Sequence, residues 1–188
     1  MKKIISLYQR NYGGNRLVRD EVVPGAEWVI AGEGRATEKL DGTAAAVIGG
    51  RLYKRYDAKR GRTPPEGAIP CQEADPITGH YPHWVLVGEG PEDAAFRDAW
   101  DDDSALEDGT YELVGPKVQG NPYGLVRHQL RQHGCRLLSV QRSFPAIATW
   151  FHDHPTFEGI VWHHEDGRMV KIKRKDFGLP WPPPKDPA

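Results

Sequence analysis

Apolar-rich segments flank a glycine turn most clearly in two places. From Ala44 the chain runs AAAVI, meets Gly49-Gly50 and returns as RLYKRY. This pattern predicts strands over Ala44–Ile48 and Arg51–Tyr56 joined by a two-residue hairpin turn. The stretch FEGIVWHHEDGRMVKIKR reads as a second hairpin, turning at Glu165-Asp166-Gly167. DGTYELVG, from Asp108 to Gly115, reads as a turn followed by a strand, and KKIISLY near the start as a first strand. Two segments read as helices. Leu125–His133 is a short one, stopped by Gly134 in the C′ position, and FPAIATWFHDH is a second. The Pro- and Gly-rich segment from Lys59 to Ala74 reads as an irregular loop, and LPWPPPKDPA as an extended end that either packs Trp181 or stays disordered. No internal repeat is present. Strands with interspersed short helices, without regular strand–helix alternation, point to an α+β fold.

Strand periodicity sorts the side chains. Lys171 and Lys173 share one face of their strand while Val170 and Ile172 share the other. By the same rule Glu158 and Ile160 point one way, Phe157 and Val161 the other, and Arg51, Tyr53 and Arg55 share a face. One cavity could therefore collect Lys171, Lys173, Arg55 and a carboxylate. A solvated face on an antiparallel sheet is the commoner fate of such alternation.

Composition narrows the class. The 188 residues are 38% hydrophobic and 27% charged, the balance of a globular protein most simply built as one domain. No apolar run approaches membrane length, and the N-terminus lacks the apolar core of a signal peptide. The two cysteines, Cys71 and Cys135, make neither a disulfide framework nor a zinc motif, so a reducing, cytoplasmic setting is expected. The histidine pairs His152/His154 and His163/His164 lack the spacing of helical metal ligands. The net charge of −1 hides an asymmetry. Arg51–Arg62 holds six basic residues and one acid, Glu92–Asp108 eight acids and one base, and Arg168–Lys175 five basic residues and no acid. Two basic strands in one sheet repel each other, and a polyanionic ligand is an economical reason to tolerate that.

Four short motifs now fall in order: EKLDGT (Glu38–Thr43), YELVG (Tyr111–Gly115), FEGIVW (Phe157–Trp162) and KIK (Lys171–Lys173). Together they resemble the first, third, fourth and fifth motifs of the covalent nucleotidyltransferase superfamily, the ATP-dependent ligases and mRNA capping enzymes. They span about three quarters of the chain. DNA ligases usually carry an arginine just after the first motif, whereas alanines follow Thr43 here. The contexts LYKRYD, GPKVQGNP and VKIKRKDFGL are similar to compact RNA ligases that work without a C-terminal OB domain.

The resemblance implies an antiparallel, ATP-grasp-like nucleotidyltransferase (adenylation) domain over residues 1–178, with a Pro-rich tail over 179–188. It implies an ATP-dependent RNA ligase of RNA repair, acting as a monomer with Mg²⁺ or Mn²⁺ on RNA ends bearing a 5′-phosphate and a 3′-hydroxyl. Lys39 would attack the α-phosphate of ATP, the AMP would pass to the RNA 5′-phosphate, and the 3′-hydroxyl would displace it. An ammonium cannot attack, so the nucleophile must be freed of its proton by desolvation, nearby cations or a metal. Ala44–Ala46 would supply the apolar surround, and Lys171, Lys173 and Arg55 the positive field. Glu38 and Asp41 oppose that effect unless a metal or hydrogen bonds occupy them. By resemblance, Glu158 and Asp41 are metal ligands, Lys171 and Lys173 contact the α-phosphate, Glu112 binds the sugar or supports the metal, Arg55 contacts the ribose or incoming phosphate, and Glu38 the nucleotide. No residue is assigned to stack on adenine, with Tyr123 a candidate. About 15 residues follow Lys173, too few for an OB domain. The pyrophosphate would then need another basic element, either Lys54, Lys59 and Arg60 or Lys2, Lys3 and Arg10. The alternatives are an adenylyl- or guanylyltransferase that modifies a 5′ end without sealing, and a noncatalytic RNA-binding module.

Overall fold

The computed structural model describes residues 4–58, 61–75, 79–100 and 106–183. Lys2, Lys3, Lys59 and Arg60, four of the candidates for holding pyrophosphate, lie outside these residues, as does the end of the tail. In chain order the elements are β1 (Ile5–Ser6), β2 (Tyr8–Arg10), β3 (Val18–Val22), α1 (Glu27–Ile30), β4 (Arg35–Lys39) and β5 (Thr43–Ile48). Then come β6 (Arg51–Ala58), β7 (Ile69–Pro70), β8 (Tyr81–Leu86), α2 (Ala94–Ala99) and β9 (Gly109–Val114). The last are β10 (Gln129–Gln132), α3 (Phe144–Asp153), β11 (Gly159–His163) and β12 (Met169–Lys173). This is an α+β chain whose strand pairs are antiparallel except for β1 with β12. Among the described residues no helix is long and apolar enough to cross a membrane.

Two compact units divide the chain. One runs from Asp41 to Gln132, and the other comprises residues 4–40 and 133–183. The first is a six-stranded sheet in the order β10-β9-β5-β6-β8-β7. Its central hairpin forms as its sequence predicts. Gly49 and Gly50 both have positive φ (57° and 68°), and their N–H groups donate to the Asp108 carboxylate at 2.6 and 3.1 Å. Those two bonds hold the Asp108 carboxyl below the usual carboxylate range. β5 is buried on both faces. Ala45 and Val47 join Leu52, Phe96, Tyr111 and Leu113, while Ala46 packs with Tyr53 and Trp84. Alanines suit a strand squeezed from both sides.

The helix expected over Leu125–His133 does not form. Gln129–Gln132 is β10, in register with β9 from Gln129↔Val114 to Gln132↔Tyr111. Val126 and Leu130 are the one apolar pair at i,i+4 spacing, and Val126 is 91% exposed, so a helix here would gain little burial, whereas the open edge of β9 offers a ladder of backbone partners. Asn121 secures the approach through two bonds with Leu125, both 2.9 Å. The loop expected over Lys59–Ala74 contributes one short edge strand, β7, where Pro70 is tolerated.

The second unit is built on the sheet β1-β12-β11-β4, with β2 and β3 as a separate pair. Ile160, Trp162, Val170 and Ile172 are buried with Leu7, Tyr8, Trp28 and Val29. α3 adds Ile147 and Phe151, one turn apart on one face. Trp181 is buried, and Arg174 donates to the carbonyls of Phe151 and Pro180, so the start of the Pro-rich end is packed.

Candidate active site

β4 ends at Lys39, β11 begins at Gly159 and β12 ends at Lys173, and these three residues stand in register across the sheet. The next row of that face is Thr37, Val161 and Lys171. A Cβ on residue 159 would sit 2.6 Å from the Ile172 carbonyl oxygen and 3.3 Å from Lys39 Cβ and Cδ. Glycine is therefore what lets the Lys39 side chain lie across this strand.

Glu158 precedes β11, and its buried carboxylate reaches both flanking ammoniums. Oε2 is 2.9 Å from Lys39 Nζ and Oε1 is 3.1 Å from Lys173 Nζ. Strand alternation carried one residue too far pairs Glu158 with Ile160. Ile160 does face the core, but Glu158 lies outside the strand and the rule does not bind it. Lys39 Nζ also donates to the Leu40 carbonyl at 3.0 Å. The Oε2 contact is close enough for an ion pair yet makes no hydrogen bond, which leaves a buried carboxylate oxygen with acceptor capacity unused. A hard divalent cation suits such an oxygen. Among the described residues no three His, Cys, Asp or Glu side chains are grouped to hold a metal; a cation at Glu158 would take further donors from water.

Three lysines surround the one carboxylate. Burial, helped by the charges of Lys173 and Lys39, pushes Lys171 down to about 8, against smaller opposing effects of Glu158 and Asp176. Asp176, in the 3-10 turn that follows β12, is itself buried. Its Oδ2 accepts the Lys173 backbone N–H at 2.9 Å, and its Oδ1 is ion-paired with Arg10. Glu38 falls on the opposite side of β4 from Lys39, in register with Ile160. There it pairs with Arg136 at 3.1 Å, whose guanidinium lies 4.6 Å above the Phe157 ring.

The remaining expected residues belong to the other unit. The Asp41 N–H donates to Tyr123 Oη at 2.7 Å, and the Gly42 N–H to Glu112 Oε1 at 3.0 Å. A Cβ on Gly42 would lie 2.1 Å from the Leu113 carbonyl oxygen, so β9 packs directly against the Asp-Gly step. Arg55 is held by Asp57 at 2.8 Å, and Lys54 is ion-paired to the buried Asp93. The histidines have local partners. His163 Nε2 meets Thr37 Oγ1 at 2.9 Å, and burial, with His133 and Arg35 adding to it, holds the His163 ring below the usual imidazole value. His164 lies between Glu33 and Asp166, and His154 stacks on Trp150 at 4.4 Å. The sequence alone does not single out Arg136, Asp176 or Gly159. The glycine lies in plain view inside FEGIVW, but the acid and the arginine acquire meaning only through tertiary partners.

A model of the RNA ligase 1 family matches residues 86–187, more than half of the chain. The chain belongs to the RNA ligase 1 family. RNA ligase 1 of Mus musculus is 31% identical over 226 residues, covering 79% of this chain and 68% of the mouse protein. RNA ligase 1 of Pongo abelii is 30% identical over 165 residues, 64% of this chain and 50% of that protein. RNA ligase 1 of Danio rerio is 41% identical over 88 residues, 41% of this chain and 26% of the fish protein. The chain thus matches between 26% and 68% of the length of these three relatives. The stretch that matches the RNA ligase 1 model contains YELVG, FEGIVW and KIK and begins after EKLDGT.

Proposed function

We propose that this chain is the catalytic nucleotidyltransferase part, ATP-grasp-like in fold, of an ATP-dependent RNA ligase. It would join 5′-phosphate and 3′-hydroxyl RNA ends through lysyl-AMP and RNA-adenylate intermediates. The observation that carries the reading is the meeting of Lys39 and Lys173 on Glu158, with Lys171 one row away. Membership of the RNA ligase 1 family supports RNA as the substrate class.

Lys39 is the nucleophile in this scheme. Its Nζ, having released a proton to solvent, forms a bond to the α-phosphorus, and pyrophosphate leaves with the electron pair of the broken P–O bond. Lys171 and Lys173 hold the non-bridging oxygens and offset the charge that grows on them in the transition state. Glu158 orients Lys39 and is the donor that would hold Mg²⁺ or Mn²⁺, which would supply charge neutralisation at the phosphates. Arg55 and Glu112 are assigned to the nucleotide's sugar and the incoming phosphate, and Asp41 to the metal.

The test is covalent labelling. With α-labelled ATP and Mg²⁺ the chain should acquire one acid-labile AMP at Lys39. Lys39→Ala and Lys39→Arg should both abolish it, because a guanidinium stays protonated and cannot attack. Glu158→Ala and Lys173→Ala should retain traces. Normal labelling of Lys39→Ala, or a label that peptide mapping assigns to Lys171, would sink the reading. A nicked-duplex assay then distinguishes sealing from 5′-end adenylylation alone.

A further inference from the structure

The reaction proposed above releases a pyrophosphate of high negative charge, and Lys39, Lys171 and Lys173 are assigned to the α-phosphate. Of the other cations described, Lys54 is a compact ammonium already matched to the buried carboxylate of Asp93. Arg10 differs in kind. It ends β2, its side chain is 32% exposed, and among the described residues its guanidinium is tied through one amino group to Asp176 Oδ1. A guanidinium carries five donors in a rigid fork, so an arginine clamped at one edge keeps the others aimed and available. Asp176 is 2% exposed and shares its two oxygens between Arg10 and the Lys173 backbone N–H. One buried carboxylate therefore sets the position of Arg10 relative to a lysine that reaches Glu158.

We infer that Arg10 is the group that binds the β- and γ-phosphates of ATP and steadies pyrophosphate as it leaves, and that Asp176 is a positioning residue that registers Arg10 against Lys173. The inference rests on the lysyl-AMP reading. In the step concerned, the Lys39 N–P bond forms as the bond from the α-phosphorus to its bridging oxygen breaks, and the pyrophosphate departs with that electron pair. The reverse runs through the same contacts, so pyrophosphate binding to the charged enzyme reports on them directly. The final sealing step contains no pyrophosphate and gives Arg10 nothing to hold.

The experiment compares two partial reactions of the full chain. Enzyme charged with labelled AMP and freed of ATP is titrated with pyrophosphate, following return of label to ATP; separately, pre-adenylylated RNA is sealed without ATP. Arg10→Ala should raise the KM for pyrophosphate about tenfold or more, the scale of a lost charge-assisted contact. It should seal pre-adenylylated RNA within about twofold of wild type. Arg10→Lys should fall between, keeping charge but losing the fork. Asp176→Asn, which can still accept the Lys173 N–H, should raise the same KM, and its melting temperature is measured alongside. An unchanged pyrophosphate KM in Arg10→Ala overturns the inference while leaving lysyl-AMP chemistry intact. A parallel fall in both partial reactions overturns it too, by reducing the pair to a brace of the fold. Wild-type protein that forms no AMP adduct fails the reading beneath it, and the inference with it.

Discussion

Lys171 is the side chain whose protonation the fold alters most usefully. Its amine is held at about 8 by burial and by two neighbouring ammoniums, below the ordinary 10.5 of lysine. A polyanion bound beside it reverses the balance of charge and raises that value. Between the free and bound values, binding must take up a proton, and affinity must fall as pH rises through about 8. Calorimetric titration of ATP near that pH, in buffers of differing ionisation enthalpy, should show net proton uptake that Lys171→Met removes. Gly159 is the second residue with a sharp expectation. Gly159→Ala forces a methyl within 2.6 Å of a backbone oxygen and against the Lys39 stem. The cost should be about 1–3 kcal/mol of stability, as for other overpacked sites, and AMP labelling should slow by more than the melting temperature accounts for.

At the level of elements, β12 joins core and site. Val170 and Ile172 are fully buried while Lys171 and Lys173 occupy the other face of the same strand. Truncating Ile172 to alanine should cost about 2–5 kcal/mol by chemical denaturation. The lysines depend on that burial for their register, so labelling should be lost along with folding; labelling intact after a loss of that size would argue against the coupling. α3 was legible from its apolar spacing, and both hairpins from their turn glycines and alternation. β10 was not, because a strand that forms on an exposed sheet edge need carry no strong pattern of its own. β4 was equally hard to see, since RATEK has little strand character apart from its partner β11.

Over the whole molecule the net charge is only −1, yet its basic residues are grouped. Phosphate contacts from such groups make affinity salt-dependent whatever the RNA sequence. The logarithm of RNA affinity should fall linearly with the logarithm of salt concentration, with Arg55→Ala lowering the slope by about one; a slope near zero would remove the electrostatic reading. Matched RNA and all-DNA nicks should also differ, with RNA sealed better, because the 2′-hydroxyl lets a protein tell the two apart. Much of this follows from local order along the chain. The alternation of KIK, the Gly-Gly turn and the four ordered motifs are short-range properties, and they single out Lys39, Glu158, Lys171 and Lys173 as candidates. Only the tertiary structure decided what each carboxylate faces. Glu38 and Lys39 are neighbours in sequence, yet opposite sides of β4 give one to Arg136 and the other to Glu158. Asp176 and Arg10 are 166 positions apart, and no local pattern could pair them. Ion pairs across a sheet depend on strand order and register, which are set by the burial of the whole core, so they become visible only once the chain has folded.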